Sequence, residues 1–379
     1  MKKITLAFDS FKGSLTSREV AEAFAQGIHS IVPQCEVRTA YIADGGEGTV
    51  EALTDTLGGS YVKLQVGDPL GRPIEAKYGL IDNGKTAIIE MASASGLPLL
   101  KEEERNPMLT STYGTGEMMA DAMRRGCRKI LMGIGGSATN DAGVGMLQAL
   151  GYTFRDKCGN TLTGGGEILA HIATIDDSLR TPLLDHTQII VACDVTNPLY
   201  GPNGAAYVFA PQKGANSLMV ECLDRGLRNY AKVMRQCGYR DISQLPGAGA
   251  AGGLGGGLAA MLGADLMRGV EMILDAMQFD TLIANSDWVF TGEGRIDAQT
   301  LMGKAPYGVM QRAMKQGIRT IAIAGLVAWS EPLEESEFYA ILPIVDSPCE
   351  LAHALQRDVA FGNIRRTARQ IAALLTHNQ

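Results

Sequence analysis

Short β-rich runs and helical patterns take turns along almost the whole chain, and this alternation restricts its fold more than any other feature. Residues 4–8 (ITLAF) read as a buried strand. Thr16, with Glu19 three places on, forms a capping box that opens a helix, and Val20, Phe24, Ile28 and Ile31 make its apolar stripe. Further strands are expected at 36–42, 61–66, 129–134, 188–193, 287–291, 319–324 and 340–345, most followed by a glycine-containing loop and a helix-compatible segment. The longest helix is expected over 216–237, with Val220, Leu223, Leu227, Tyr230 and Met234 on one face. The pattern implies α/β architecture with a largely parallel sheet. Between about 61 and 91 it changes to closely spaced β runs (YVKLQV, IEAKYGLI, TAIIEM) joined by Asp68-Pro69 and Asn83-Gly84 turns, which reads as a meander. We therefore expect two domains, one formed by 1–68 plus 286–379 and the other by 69–285, in keeping with 379 residues at about 150 per domain.

Such loops need bare backbone, and the composition supplies it: 46 of 379 residues are glycine, against an average of about 7%. The densest stretch is 246–258, PGAGAAGGLGGGL. Either a ligand approaches this backbone closely or two elements pack there with almost no gap, and the anion-nest character of exposed amides favours the first reading. That makes Gly252, Gly253, Gly255 and Gly256 candidate nucleotide contacts. Residues 130–145, ILMGIGGSATNDAGVG, read as strand, glycine turn and then a helix from about Asp141, so Gly133, Gly135, Gly136 and Ser137 are candidates for holding phosphate. The bland alternative is a tight turn in which Ser137, Thr139 or Asn140 only caps the helix. An acidic ribose ligand belongs about twenty residues on, but Asp156 sits between Arg155 and Lys157 and reads better as a turn. Residues 79–86, GLIDNGKT, match a phosphate loop letter for letter. Here Asn83-Gly84 is a hairpin signal and Ala87-Ile88-Ile89 continues as strand, so the hairpin reading is preferred.

The net charge of −7 argues against a nucleic-acid or anionic-membrane surface, and no run of about 18 apolar residues is present to span a bilayer. Seven scattered cysteines without a CxxC pair argue against a disulfide framework or structural zinc and fit a cytoplasmic setting. The five histidines, at 29, 171, 186, 353 and 377, lie outside the glycine-rich and strand-end loops, which gives histidine-based triads little support.

Four strand-end loops mix carboxylates with glycine and hydroxyl or cationic groups: Asp9 to Ser14, Asp44 to Thr49, Cys193 to Pro198 and Thr291 to Asp297. Each has a plain alternative. Asp44 and Glu47 have helix-cap spacing, Asp194 and Asn197 shape an Asn-Pro turn, and Arg295 pairs with Asp297. Strand ends are where open α/β sheets bind ligands, and together the four describe one polar cleft. Phosphoryl transfer needs amides and cations for phosphate, carboxylates for Mg²⁺ and one carboxylate near the acceptor hydroxyl; all are present.

Read together, DSFKGSLT at 9–16, DGGEGT at 44–49, GGSATNDAGVG at 135–145, CDVTNPLYGPNGAA at 193–206, GAGAAGGLGGG at 247–257 and TGEGRIDAQT at 291–300 resemble the class I glycerate kinases over nearly the whole chain. The resemblance implies a discontinuous flavodoxin-like domain, an inserted restriction-enzyme-like domain, and ATP- and Mg²⁺-dependent phosphorylation of D-glycerate to 2-phosphoglycerate in the cleft between them. On that reading Lys12, Arg295 and Lys304 serve the glycerate carboxylate and the migrating phosphoryl group. Asp194 orients or deprotonates the acceptor hydroxyl. Asp9, Ser10, Asp44, Gly45 and Asn197 complete the substrate contacts, and Asp44, Glu47, Glu293 and Asp297 compete for the metal. The alternatives are transfer to the 3-hydroxyl, a nicotinamide-dependent dehydrogenase, or a non-catalytic sugar-acid sensor. A homo-oligomer is compatible with the sequence.

Overall fold

A computed structural model describes residues 1–42 and 48–376. Its strands, in chain order, are β1 (Lys3–Phe8), β2 (Glu36–Tyr41), β3 (Ser60–Gly67), β4 (Pro73–Ile81), β5 (Thr86–Glu90), β6 (Lys129–Gly133), β7 (Thr153–Arg155), β8 (Thr174–Asp176), β9 (Gln188–Ala192), β10 (Asp265–Met267), β11 (Trp288–Ile296), β12 (Arg319–Val327) and β13 (Ala340–Pro343). The expected strands are present to within a few residues, except that β11 and β12 run several residues further. Strands β7, β8 and β10 are too short to leave a period-two pattern.

The chain divides into two compact units, residues 1–44, 55–57 and 273–379 in one, and 45–54 with 58–272 in the other. The expected breaks at 68/69 and 285/286 both shift toward the N-terminus, to 57/58 and 272/273, for a local reason at each end. β3 pairs along its whole length with β4 and so belongs to the larger unit's sheet. Residues 275–283 belong to the smaller unit because Arg312 forms ion pairs with both Asp275 and Asp280.

In the smaller unit five parallel strands lie in the order β2-β1-β11-β12-β13. Ranked by their order along the chain this is 2-1-3-4-5, the flavodoxin-like arrangement, whose switch point lies between β1 and β11. Both faces are covered. On one, Phe24 of the Ser17–His29 helix stacks between Phe8 and Phe290 at centroid distances of 5.1 and 4.7 Å, and the Arg357–Thr376 helix packs alongside. The two helices nearly touch: a Cβ on Gly27 would lie 2.3 Å from the Arg365 carbonyl. Burying each phenyl ring contributes about 1.5–3 kcal/mol. On the other face Met310 of the Ala305–Lys315 helix packs against Ala322 and Ala324. The capping box forms as expected, Thr16 N–H donating to Glu19 Oε2 and Glu19 N–H to Thr16 Oγ1.

The larger unit's six-stranded sheet has the order β10-β9-β6-β5-β4-β3. Strands β3, β4 and β5 form an antiparallel meander, while β5, β6, β9 and β10 are parallel, so those four carboxyl ends share one edge. The GLIDNGKT stretch is the β4–β5 hairpin, with Asp82, Asn83 and Gly84 all at positive φ. The long helix runs Ser217–Gln236, its first turn capped by Asn216, whose Oδ1 accepts from Met219 N–H.

Candidate active site

At the switch point of the smaller unit, β1 and β11 deliver their polar ends side by side. Asp9 is nearly buried and its N–H donates to Gly292 O at 3.0 Å. Phe11 and Leu15 are buried and exchange both backbone hydrogen bonds, which closes a tight loop with Gly13 at φ 80 near its tip and leaves Lys12 exposed. Gly294 is next to this loop: a Cβ there would stand 3.5 Å from Lys12 N. Beyond it, Thr300 Oγ1 donates to Glu293 Oε1 at 2.7 Å and accepts from Asp297 N–H. Lys304 Nζ stands 3.9 Å from Glu293 and 4.0 Å from Asp297, and Arg295 Nε stands 3.2 Å from Asp297. The structure thus brings Asp9, Ser10, Lys12, Glu293, Arg295, Asp297 and Lys304 to one sheet edge. The Arg295–Asp297 pair foreseen as a plain alternative exists alongside that grouping. Asp44, Gly45 and Glu47 lie outside the described residues.

Two carboxylates held so that one ammonium stands about equally far from both form a cation-accepting arrangement. Mg²⁺ takes one or two carboxylates plus substrate phosphates, so Glu293 and Asp297 fit it.

In the larger unit, Gly133 is the last residue of the central strand β6 and stands in register with Glu90 on one side and Ala192 on the other. The turn after it exposes Gly135 and Gly136, with Gly136 at φ 72. It is tied to the 95–97 segment by Leu97 N–H to Gly136 O and Ala138 N–H to Ser95 O, at 2.8 and 2.9 Å. Asp194, at the end of β9, is exposed and accepts from Gly269 N–H at 3.0 Å. Asn197 donates to Asn203 O at 2.8 Å, so its side chain shapes its own loop.

The helix after the turn starts at Val144 rather than Asp141. Asp141, Thr139 and Asn140 are fully buried beneath it. The Asp141 carboxylate accepts from Thr112 N–H, Thr112 Oγ1, Gly143 N–H and Gly145 N–H, a set of donors that offsets a burial strong enough to push its pKa up. Lys213 Nζ, equally buried, donates to Ser137 Oγ and Thr139 O, both at 2.7 Å. Sequence reasoning singled out neither the buried Asp141 carboxylate nor the buried Lys213 amine.

The glycine-rich stretch turns out differently from the preferred reading. A Cβ on Gly252 would lie 2.1 Å from Thr139 O, on Gly253 3.0 Å from Ala142 Cα, on Gly255 2.5 Å from Gly247 O and on Gly256 2.8 Å from the Ile242 side chain. All four are buried. Gly252 and Gly253 let the Ala250–Gly253 turn pack on the 139–143 segment, and Gly255 and Gly256 let the Leu254–Met261 helix close on Gly247, Ile242 and Ala248, so close packing accounts for their lack of side chains. Asp156 sits in the expected tight turn, its carboxylate accepting from Cys158 N–H and Asn160 N–H. The larger unit also holds a cavity of about 590 Å³, lined among others by Asp68, Leu70, Leu109, Tyr113 and Gly164; none of the expected site residues lines it.

Against known proteins, the sequence model described as the glycerate kinase family matches residues 4–376. The chain is 43% identical over 380 residues to a glycerate kinase of Halalkalibacterium halodurans, covering 100% of both chains. It is 44% identical over 374 residues to the glycerate 2-kinase of Escherichia coli K12, covering 98% of each. A crystal structure from Salmonella typhimurium LT2 assigned as glycerate kinase 2 superposes with a TM-score of 0.91 at 44% identity, covering 100% of this chain and 99% of that one. No helix among the described residues is long and apolar enough to cross a membrane.

Proposed function

The chain belongs to the glycerate kinase family and is a kinase, and from that premise we propose that it transfers the γ-phosphoryl group of ATP to the 2-hydroxyl of D-glycerate. The observation that carries this reading is the 44% identity to a glycerate 2-kinase over 98% of both chains. In an in-line transfer the acceptor oxygen bonds to the γ-phosphorus as the bond from that phosphorus to the β,γ-bridging oxygen breaks. The hydroxyl proton is released and the products are 2-phosphoglycerate and ADP.

Each unit supplies part of the chemistry. In the larger, the amides of Gly133, Gly135 and Gly136 with Ser137 Oγ bind nucleotide phosphate at the end of β6, as glycine turns at strand ends do. Asp194, exposed at the end of β9 and accepting from Gly269 N–H, orients the acceptor hydroxyl or takes its proton. In the smaller, Lys12, Arg295 and Lys304 neutralise the glycerate carboxylate and the migrating phosphoryl charge, with Asp9 and Ser10 orienting the substrate. Mg²⁺, held by Glu293 and Asp297, would supply further charge neutralisation.

The test is ADP release in a coupled assay with purified protein. ADP formation that depends on D-glycerate supports the reading. ATP turnover that ignores D-glycerate, or no turnover with either enantiomer, rejects it.

A further inference from the structure

Water is excluded from one lysine at the carboxyl edge of the larger sheet. Lys213 is 1% exposed, and an ammonium ion is costly to bury unless its donors are matched. It closes the short turn Pro211–Lys213 and is followed by Gly214 at φ 94, where a Cβ would meet the Arg105 carbonyl at 2.2 Å. The backbone around it is therefore fixed. Both bonds that its ammonium makes go to one partner segment, Ser137 Oγ and Thr139 O, each at 2.7 Å. That segment continues the glycine turn after β6. It also holds buried polar atoms that make no hydrogen bond, namely both amide atoms of Asn140 and Thr139 Oγ1. A turn with exposed glycines, a buried amine beneath it and unmatched buried polar groups leaves donors and a proton acceptor for a strongly charged ligand to engage.

We propose that Lys213 is a positioning residue for nucleotide phosphate: through Ser137 and Thr139 it holds the 133–141 turn in its binding shape, and it takes up a proton when a polyphosphate occupies that turn. The proposal rests on the reading that this turn receives the phosphates of ATP. Burial brings the lysine down to about 7, with Asp141 acting in the opposite direction. The charged group that acts on it is Asp141 on the same turn, and the Arg105 carbonyl lies behind Gly214. Above neutral pH the free protein then holds a largely neutral amine. An anion next to the turn favours the ammonium form, so binding draws a proton from solution and weakens as pH rises.

Calorimetric titration of the full-length protein with ATP, in two buffers of different ionisation enthalpy, counts the protons taken up. Between pH 8 and 9 the phosphates of ATP are already ionised and drop out of the count. The wild type is expected to approach one proton taken up per ATP, with Kd rising about tenfold per pH unit. Lys213→Met and Lys213→Arg both remove the uptake and flatten the pH dependence, and the arginine variant, permanently charged, keeps the tighter binding of the two. No uptake in the wild type, or uptake that persists in either folded variant, overturns the proposal. Should the methionine variant fail to fold, the wild-type count and the arginine variant decide. Because the readout is ATP binding alone, it stands or falls apart from whether D-glycerate is the acceptor.

Discussion

Gly252→Ala puts the packing account of the glycine-rich stretch to a quantitative test. The new Cβ would lie 2.1 Å from Thr139 O and 2.6 Å from Asn140 Cα, whereas ordinary contact begins at 3.4 Å, so backbone on one side or the other must move by about 1 Å. Overpacking of this kind costs about 1–3 kcal/mol. Alanine at φ 69 adds about 1–2 kcal/mol of left-handed strain. The sum is about 2–5 kcal/mol, a large fraction of a domain's stability. Gly263→Ala is the matched control, since its φ is 63 but nothing lies within 4 Å of its Cβ position; only the strain of about 1–2 kcal/mol applies. Ala251, at φ 51, shows that this backbone tolerates a left-handed alanine where there is room. Both tryptophans, Trp288 and Trp329, are in the smaller unit, so their fluorescence does not follow the affected region. Hydrogen exchange at the buried β6 amides Ile130 to Met132 does. If the two variants exchange with opening energies within about 0.5 kcal/mol of each other, close packing is not why Gly252 is glycine.

Three further outcomes follow from the same geometry. Lys213 binds fewer protons folded than unfolded between about pH 7 and its ordinary value of 10.5, so the larger unit should gain up to about 1.4 kcal/mol per pH unit across that window; Lys213→Met should lack this slope when denaturation is compared at pH 7, 8 and 9. Asp194→Asn keeps an oxygen for Gly269 N–H but cannot take a proton, so it should fold normally and lose about 10²- to 10⁴-fold in kcat; unchanged kcat removes Asp194 from the acceptor's chemistry. Thr16→Ala opens the capping box of the Ser17–His29 helix and should lower the smaller unit's stability by about 1 kcal/mol, read from the tryptophan-monitored urea midpoint.

Local patterns were legible in the sequence and non-local ones were not. Strand periodicity, the Thr16–Glu19 box, the Asn83-Gly84 hairpin and the Asp156 turn each depend on residues within a few positions, and each has the expected form. The strand-end loops of β1 and β11 could be picked out singly, but their adjacency comes from a sheet that pairs residue 8 with residue 292. The glycines of 247–257 misled for the same reason. A glycine needed for a ligand and one needed for a neighbouring backbone look alike until the neighbour is in place, as the 139–143 segment is for Gly252, Gly253 and Gly257. Lys213 in PQKG and Asp141 in TNDAG resemble surface residues of ordinary loops, and only burial sets them apart. The domain break moved because β3 is half of a hairpin whose other half lies beyond Asp68-Pro69.

Proton-coupled phosphorus NMR of the product formed from ATP and D-glycerate reports both phosphoryl transfer and the oxygen that receives it. A phosphate on the 2-oxygen has one hydrogen on the adjoining carbon and gives a doublet, and that is the signal predicted, growing as the ATP resonances give way to those of ADP. A triplet would place the phosphate on the 3-oxygen and contradict the regiochemistry. Inorganic phosphate alone, or an unchanged ATP spectrum, would contradict the kinase assignment itself.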